Sequence, residues 1–261
     1  NVSVWSRNGG TLLTSWYNGV SKSATESWRH RRMSYRVDYY RSPIRLLWSQ
    51  DWRAETIQDG LDLCNQETAS PIILEMVPRN GWVLDAGCGT GRWIAFFKQH
   101  AIHAVGVDYS EDGLQLLKHE MPDAQVAVGL VEPLPFRNAS FTAVLSHGVV
   151  EHIETGPHDA LEESRRVLSE QGVLMIAVPY NNVVRRLIVN RLHSLRRIVR
   201  KMRGAKLAFC EYRFSVREMK RFLHNTGFEV IRIDPADFRP PRHMGLYVDA
   251  VDLFGYEPVS A

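Results

Sequence analysis

V-L-D-A-G-C-G-T-G-R-W, residues 83–93, is the stretch whose reading decides the fold. An apolar run ends on Asp85 and gives way to Gly87, Gly89 and Gly91 on alternate positions, as where a strand turns tightly into a helix. Missing side chains at such a turn let the backbone approach a ligand closely. The dinucleotide fingerprint is G-x-G-x-x-G, with its third glycine one residue later. Here the spacing is G-x-G-x-G, and the turn alone leaves a nucleotide, another adenosyl cofactor and a plain tight turn open.

Outward from this turn, between residues 81 and 178, short apolar runs alternate with amphipathic stretches, the pattern of βαβ units around a parallel sheet. Strands are expected at Trp82–Asp85, Ala104–Asp108, Gln125–Val128, Ala143–Ser146 and Val173–Val178. Helices are expected at Gly91–Gln99, Glu111–Lys118 and Ala160–Leu168, and a later helix opens on the N-cap Ser215, closes on Gly227 and leads into another strand. Two regions stand outside the alternation. Residues 1–53 hold tryptophans 5, 16, 28, 48 and 52 among many arginines and read as a helical N-terminal extension; residues 181–210 read as a basic helical insertion after the fifth strand. The organisation expected is one domain over 1–261, with its cofactor-binding core at 81–180 and the C-terminal part of the sheet at 211–261.

With 44% hydrophobic and 23% charged residues in 261, the chain is ordinary globular material, long enough to bury roughly 70–75% of its unfolded surface. No apolar stretch approaches the ~20 residues of a bilayer span, and the N-terminus lacks a signal-peptide pattern, so a soluble, cytoplasmic protein is expected. Cys64, Cys88 and Cys210 are widely separated, which gives neither a disulfide framework nor a cysteine zinc site. The net charge of +3 is unevenly spread: basic residues crowd 22–53 and 185–221, where only Glu211 and Glu218 oppose them. That asymmetry points to an acidic partner or surface.

Asp108 ends the run A-V-G-V-D, twenty-one residues after Gly87. An acid at the end of the second strand is placed to accept hydrogen bonds from ribose hydroxyls while the first loop receives the rest of a cofactor. Four further stretches follow in order: G-V-D-Y-S, L-P-F-R-N-A-S-F, S-H-G-V-V-E-H-I and G-V-L-M-I-A-V-P. Together with the glycine turn they resemble the class I S-adenosylmethionine-dependent methyltransferases, and in particular the small-molecule branch of ubiquinone and menaquinone biosynthesis.

The resemblance implies a Rossmann-like α/β fold with a mainly parallel seven-stranded sheet, helices on both faces, and a final antiparallel strand placed here at Leu246–Val251. It implies S-adenosylmethionine as cofactor and S-adenosylhomocysteine as product. On the matching positions, Gly87, Cys88, Gly89 and Gly91 would meet the methionyl end and ribose, Asp85 would orient the amino group, Asp108 would hold the ribose, and Tyr109 would lie against adenine. Leu130 stands where relatives often carry an acid for the adenine amino group, which leaves adenine to the Val131 amide and apolar packing; Thr142 replaces a frequent aspartate.

S-H-G-V-V-E-H-I places His147, Glu151 and His152 at the end of the fourth strand, the edge where open α/β sheets hold their ligands. His147 and His152 are the candidate catalytic residues, with packing as the competing role, and His147 is also a candidate cofactor contact. Metal-binding relatives carry E-x-x-E-H, but Gly148 occupies the first glutamate's place, so no metal is expected. The function expected is methyl transfer to a small-molecule or lipid-like acceptor. An RNA methyltransferase using the basic surfaces is the first alternative and a cofactor-binding protein without catalysis the second; because no RRM, KH or OB pattern is visible, a nucleic-acid partner is not expected. Residues 183–203 read as an amphipathic basic helix. Its apolar stripe Leu187, Ile188, Leu192, Leu195, Val199 and Met202 either packs on the domain or serves a lid that also touches anionic lipid at the inner face of a membrane.

Overall fold

The computed structural model of the protein describes residues 2–8, 35–39, 56–204 and 206–235. Its strands are β1 (Val2–Asn8), β2 (Tyr35–Tyr39), β3 (Trp82–Ala86), β4 (His103–Asp108), β5 (Gln125–Val128), β6 (Phe141–His147), β7 (Leu168–Val178), β8 (Ala208–Arg213) and β9 (Phe228–Pro235). The α-helices are α1 (Ile57–Gln66), α2 (Ser70–Met76), α3 (Arg92–Gln99), α4 (Glu111–Glu120), α5 (His158–Val167), α6 (Asn190–Met202) and α7 (Val216–Asn225). A 3₁₀ turn at Val150–His152 follows β6, and a π-helical turn at Arg185–Val189 leads into α6.

Seven strands form one sheet in the order β5-β4-β3-β6-β7-β1-β9. The pairs β3–β4, β3–β6, β4–β5 and β6–β7 are parallel, whereas β1 runs antiparallel to both of its neighbours. Only α/β folds with covered faces bury such runs of Val, Leu and Ile on both sides. One face packs Leu161 of α5 with Met219 and Leu223 of α7; the other packs Leu61 of α1, Ile73 of α2, and Trp93, Phe96 and Phe97 of α3.

Local chemistry sets the helix starts. Ser215 and Glu218 close a reciprocal capping box on α7, Thr56 and Asp59 do the same on α1, and Ser110 caps α4. The core expected over 81–178 and the Ser215 helix therefore stand with boundary changes of a few residues.

Three expectations require correction. The helical N-terminal extension does not hold at residues 2–8 and 35–39, which are strands; the rest of 1–53 lies outside the described residues. β1 is an internal strand of the main sheet, with Ser3, Val4, Trp5 and Ser6 all buried between β7 and β9. It fills the antiparallel slot assigned to Leu246–Val251, a segment outside the described residues. The insertion is helical to Met202 and then returns as β8, which pairs antiparallel with β2 in a separate two-stranded ribbon.

The third concerns the face α6 turns inward. Its buried residues are Asn190 and His193, while Leu187, Ile188, Leu192, Leu195, Val199 and Met202 are all exposed. Polar contacts decide this orientation: Asn190 Nδ2 donates to Asn181 Oδ1 at 2.9 Å, Tyr35 Oη donates to the Asn190 carbonyl at 3.0 Å, and Arg197 meets Asp38 at 3.1 Å. Among the described residues the apolar stripe does not pack on the domain.

Candidate functional site

The glycine turn sits at the C-terminal edge of β3 and is clamped to its neighbour: the Gly87 and Cys88 amides both donate to the Val107 carbonyl, at 2.8 and 3.1 Å. Gly87, Gly89 and Gly91 take φ of 88°, 53° and 85°, left-handed conformations that cost a residue with a Cβ. Space is closed as well. A Cβ on Gly87 would stand 2.4 Å from Val149 Cγ2, and one on Gly91 2.5 Å from Leu117 Cδ1. The Cys88 side chain points down, its Sγ filling the room a Cβ on Gly106 would need, so only its backbone faces the turn's concave side.

Asp108 holds this turn from the end of β4. Its Oδ2 accepts from the Gly89 amide and its Oδ1 from the Ser110 amide, both at 2.9 Å. Burial raises its carboxyl above the ordinary range, against the lowering by those amides. Asp85 lies deeper, 1% exposed, with Oδ2 unmatched by any hydrogen bond. Burial pushes its carboxyl up to about 7, opposed by nearby Arg92 and reinforced by Asp108. An orphaned buried carboxylate oxygen under a glycine cradle suits a ligand that brings positive charge or donors.

Arg92 is the first residue of α3, and it is held by groups from two other segments. Its Nη1 donates to Glu67 Oε1 at 2.6 Å and its Nη2 lies 3.0 Å from His147 Nδ1, while His147 Nε2 is 3.2 Å from Glu67 Oε2. An arginine can only donate, so His147 Nδ1 accepts and its N–H belongs on Nε2, toward Glu67. Burial pushes the Glu67 carboxyl upward, but His147 and Arg92 outweigh it and leave it below its usual range. His147 Nδ1 is thus engaged by Arg92, while Nε2 faces Glu67 at ion-pair distance without forming a hydrogen bond. Glu67 and Arg92 were not legible as site residues: Arg92 had the faint signal of a cation directly after the third glycine, and Glu67 had none.

After β6 the chain turns at Gly148, φ 75°, so a glutamate there would be strained in the backbone. Glu151 follows, 3% exposed, its Oε2 without a hydrogen bond and its carboxyl pushed up to about 7 by burial, with His152 opposing. His152 Nδ1 lies 2.9 Å from the Cys210 carbonyl of β8, a contact that requires the proton on Nδ1 and makes Nε2 the nitrogen able to accept one. Ligand atoms of His152, Cys210 and Glu211 lie within 4.8 Å of one another, but the Glu211 carboxylate already meets buried Arg213 at 3.0 Å. Toward the adenine end expected from the sequence, Tyr109 and Leu130 are exposed, and Val131 is half-buried against the core.

The comparisons with known proteins match this geometry. The family described as "Methyltransferase domain" covers residues 84–176, from β3 through most of β7. Residues 84–176 are a methyltransferase domain. The cofactor of this domain is S-adenosylmethionine. A solved S-adenosylmethionine-dependent methyltransferase from Methanosarcina mazei superposes with a TM-score of 0.54 at 18% identity over 62% of this chain and 86% of that one, a likeness of fold. The chain is 37% identical over 98 residues to the probable tRNA methyltransferase 9B of Homo sapiens, covering 37% of this chain and 21% of that protein. It is 34% identical over 137 residues to the tRNA U34 carboxymethyltransferase of Pseudoalteromonas atlantica, covering 49% of this chain and 37% of that one. The chain thus spans between about a fifth and two fifths of these two relatives' lengths.

These relatives correct two expectations. The resemblance to the ubiquinone and menaquinone branch gives way to likeness with tRNA-modifying enzymes, and the expectation that nucleic acid is not a partner falls with it. The likeness favours the RNA alternative over the expected small-molecule or lipid-like acceptor, and it lends no support to the anionic-membrane contact through 183–203. The physical reason is that the shared glycine turn and Asp108 read the cofactor, which every branch uses, and carry no information on the acceptor. Absence of an RNA-binding module was a weak argument, since a basic surface on the methyltransferase domain itself supplies phosphate affinity. Among the described residues no helix is long and apolar enough to cross a membrane.

Proposed function

We propose that the protein transfers a methyl group from S-adenosylmethionine to RNA of the transfer class. The observation that carries this reading is the identity of 34–37%, over 137 and 98 residues, to a tRNA U34 carboxymethyltransferase and a probable tRNA methyltransferase. The basic insertion supports it, since α6 presents Arg191, Arg196, Arg200 and Lys201 beside the β2–β8 ribbon.

The residues fit the cofactor on structural grounds: Gly87, Gly89 and Gly91 hold a left-handed turn that carries no side chains of its own, and Asp85 offers an unmatched buried oxygen. When bound, the cofactor supplies a methyl group already activated by positive sulfur. Asp85 would orient its amino group and Asp108 its ribose, with the Gly89 amide keeping Asp108 in place. Tyr109, Leu130 and the Val131 backbone would border adenine. His147, pinned by Arg92 and Glu67, would position the end of β6 rather than move a proton. His152 would take a proton at Nε2, its Nδ1 held by Cys210. Alignment of donor and acceptor is the main requirement of such a displacement.

Incubating the protein with methyl-labelled S-adenosylmethionine and total tRNA, and in parallel with a metabolite and lipid extract, tests the reading. Label is expected in RNA. Transfer into the extract with none into RNA would overturn it.

A further inference from the structure

Between Val183 and Met202 the insertion turns nine apolar side chains outward, and Leu187, Leu195, Ile198 and Met202 are each more than half exposed. An exposed apolar surface of this extent marks a contact rather than a solvated face. We infer that residues 244–257 of the same chain dock on this stripe. The inference goes beyond the methyl-transfer reading and does not depend on the acceptor being RNA.

Supply is the first argument. Residues 236–261 lie outside the described residues, and within them M-G-L-Y-V-D-A-V-D-L-F-G-Y-E, residues 244–257, carries Leu246, Val248, Val251, Leu253 and Phe254. The reversed slot that the sequence reading gives to Leu246–Val251 is occupied by β1, held between β7 and β9 with Val4 and Trp5 buried. The apolar side chains of 244–257 therefore need another surface on which to leave water.

Charge is the second. No Asp or Glu occurs in 183–203, where Arg186, Arg191, Lys201 and Arg203 are exposed among the apolar residues. Residues 244–257 carry Asp249, Asp252 and Glu257 and no Lys or Arg. An apolar stripe interleaved with cations and an apolar segment interleaved with carboxylates are complementary in both respects. A second copy of α6 would set cations against cations, which disfavours that pairing and leaves the chain's own segment as the occupant.

Placement is the third. Val2 of β1 stands opposite Val178 on one side and Pro235 on the other, so β7 and β9 end at the same edge of the sheet. Two strand spacings put those ends about 10 Å apart. Beyond Val178 the stripe begins five residues on, at Val183. Beyond Pro235 eight residues lead to Met244, and eight extended residues reach about 26–29 Å. The connection is long enough to bring the segment onto the helix and short enough to keep its local concentration high.

Hydrogen–deuterium exchange of the full chain, read peptide by peptide, tests the docking from both sides, with light scattering of the same samples for mass. The Val251→Asp, Phe254→Asp variant is expected to speed exchange across 183–203 roughly tenfold or more, the effect of losing a buried apolar side chain. Leu195→Gln, Val199→Gln is expected to speed it across 244–257. Leu116→Gln, at an exposed apolar position of α4, is expected to change neither region. S-adenosylmethionine binding at the wild-type level checks that each variant is folded. The milder Asp249→Asn, Asp252→Asn variant puts no charge into an apolar contact and carries the comparison by itself if the aspartate variant unfolds; its acceleration across 183–203 is expected near 0.05 M salt and is expected to vanish near 1 M, where the Debye length is about 3 Å. Exchange in both regions indifferent to the substitutions in the other would overturn the docking. A wild-type dimer in which exchange across 183–203 slows as protein concentration rises would put a second copy on the stripe and overturn the assignment to the chain's own segment.

Discussion

Binding of S-adenosylmethionine should tighten as pH rises from 6 to 7, and Asp85→Asn should abolish that dependence. Asp85 is wholly buried under the glycine turn, and burial holds its carboxyl at about 7 in the free protein. A ligand bringing positive charge favours the ionised form. If only ionised Asp85 binds, apparent Kd is multiplied by one plus the ratio of protonated to ionised carboxyl, about 11 at pH 6 and about 2 at pH 7 for a pKa near 7. The gain is roughly fivefold, or about 1 kcal/mol. Staying below pH 7.5 avoids the ligand's own α-amino group, whose ordinary pKa is about 7.7–8.0. Titration calorimetry in two buffers of different ionisation enthalpy provides the check, with release of about half a proton per site expected at pH 7 from the same pKa. Affinity flat over this range, with no proton released, would refute the reasoning, because it would mean that the ligand's charge never reaches Asp85.

Three further outcomes follow from the geometry. Gly87→Ala should lose cofactor binding, and Val149→Ala added to it should recover little, since the second change clears the 2.4 Å clash but leaves φ at 88°; calorimetry reads both. Glu67→Gln should lower the melting temperature by several degrees, because it removes the carboxylate charge facing Arg92 and His147 and turns one accepting oxygen into a donor, a charged bond being worth about 1.5–3 kcal/mol and each kcal/mol about 2–4 °C in a domain of this size. Glu151→Gln should raise the melting temperature at pH 8 and leave it nearly unchanged at pH 4. Its folded carboxyl is raised to about 7 from 4.5, so the native state holds the extra proton, and the stability linked to it is present below 4.5 and lost as pH rises through 7.

Local signals were legible and non-local ones were not. The five strands and three helices of the 81–178 core announce themselves by period and by the glycines between them, and Ser215 with Glu218 marks a helix start by side-chain chemistry confined to four residues. β1 offers no such mark. Because it is buried on both faces between β7 and β9, it places Ser3 and Ser6 in the interior beside Val4 and Trp5 and shows no alternation to read. Nor can a sequence say which end of the chain supplies the one reversed strand: the slot is the same for residues 2–8 as for a C-terminal segment, and pairing across 166 to 233 residues fixes it. For α6 the period was right, and of the two roles weighed for its stripe, packing on the domain is the one that fails. Periodicity locates an apolar stripe; which stripe meets the domain depends on partners such as Asp38 and Asn181, far away in sequence.

The same division runs through the site. Asp85, the glycines and Asp108 were readable because one turn and the next strand end carry them. The Glu67, Arg92 and His147 cluster was not, since it joins the end of α1, the start of α3 and the end of β6, and each residue taken singly is an ordinary surface type. What these clusters share is a sorting of charge. Beneath the glycine turn, Asp85 and Asp108 keep two buried carboxyls above their usual range, an arrangement that is costly alone and is relieved by a cation. Across the β2–β8 ribbon Asp38 instead draws two guanidiniums together, Arg36 at 2.6 Å and Arg197 at 3.1 Å.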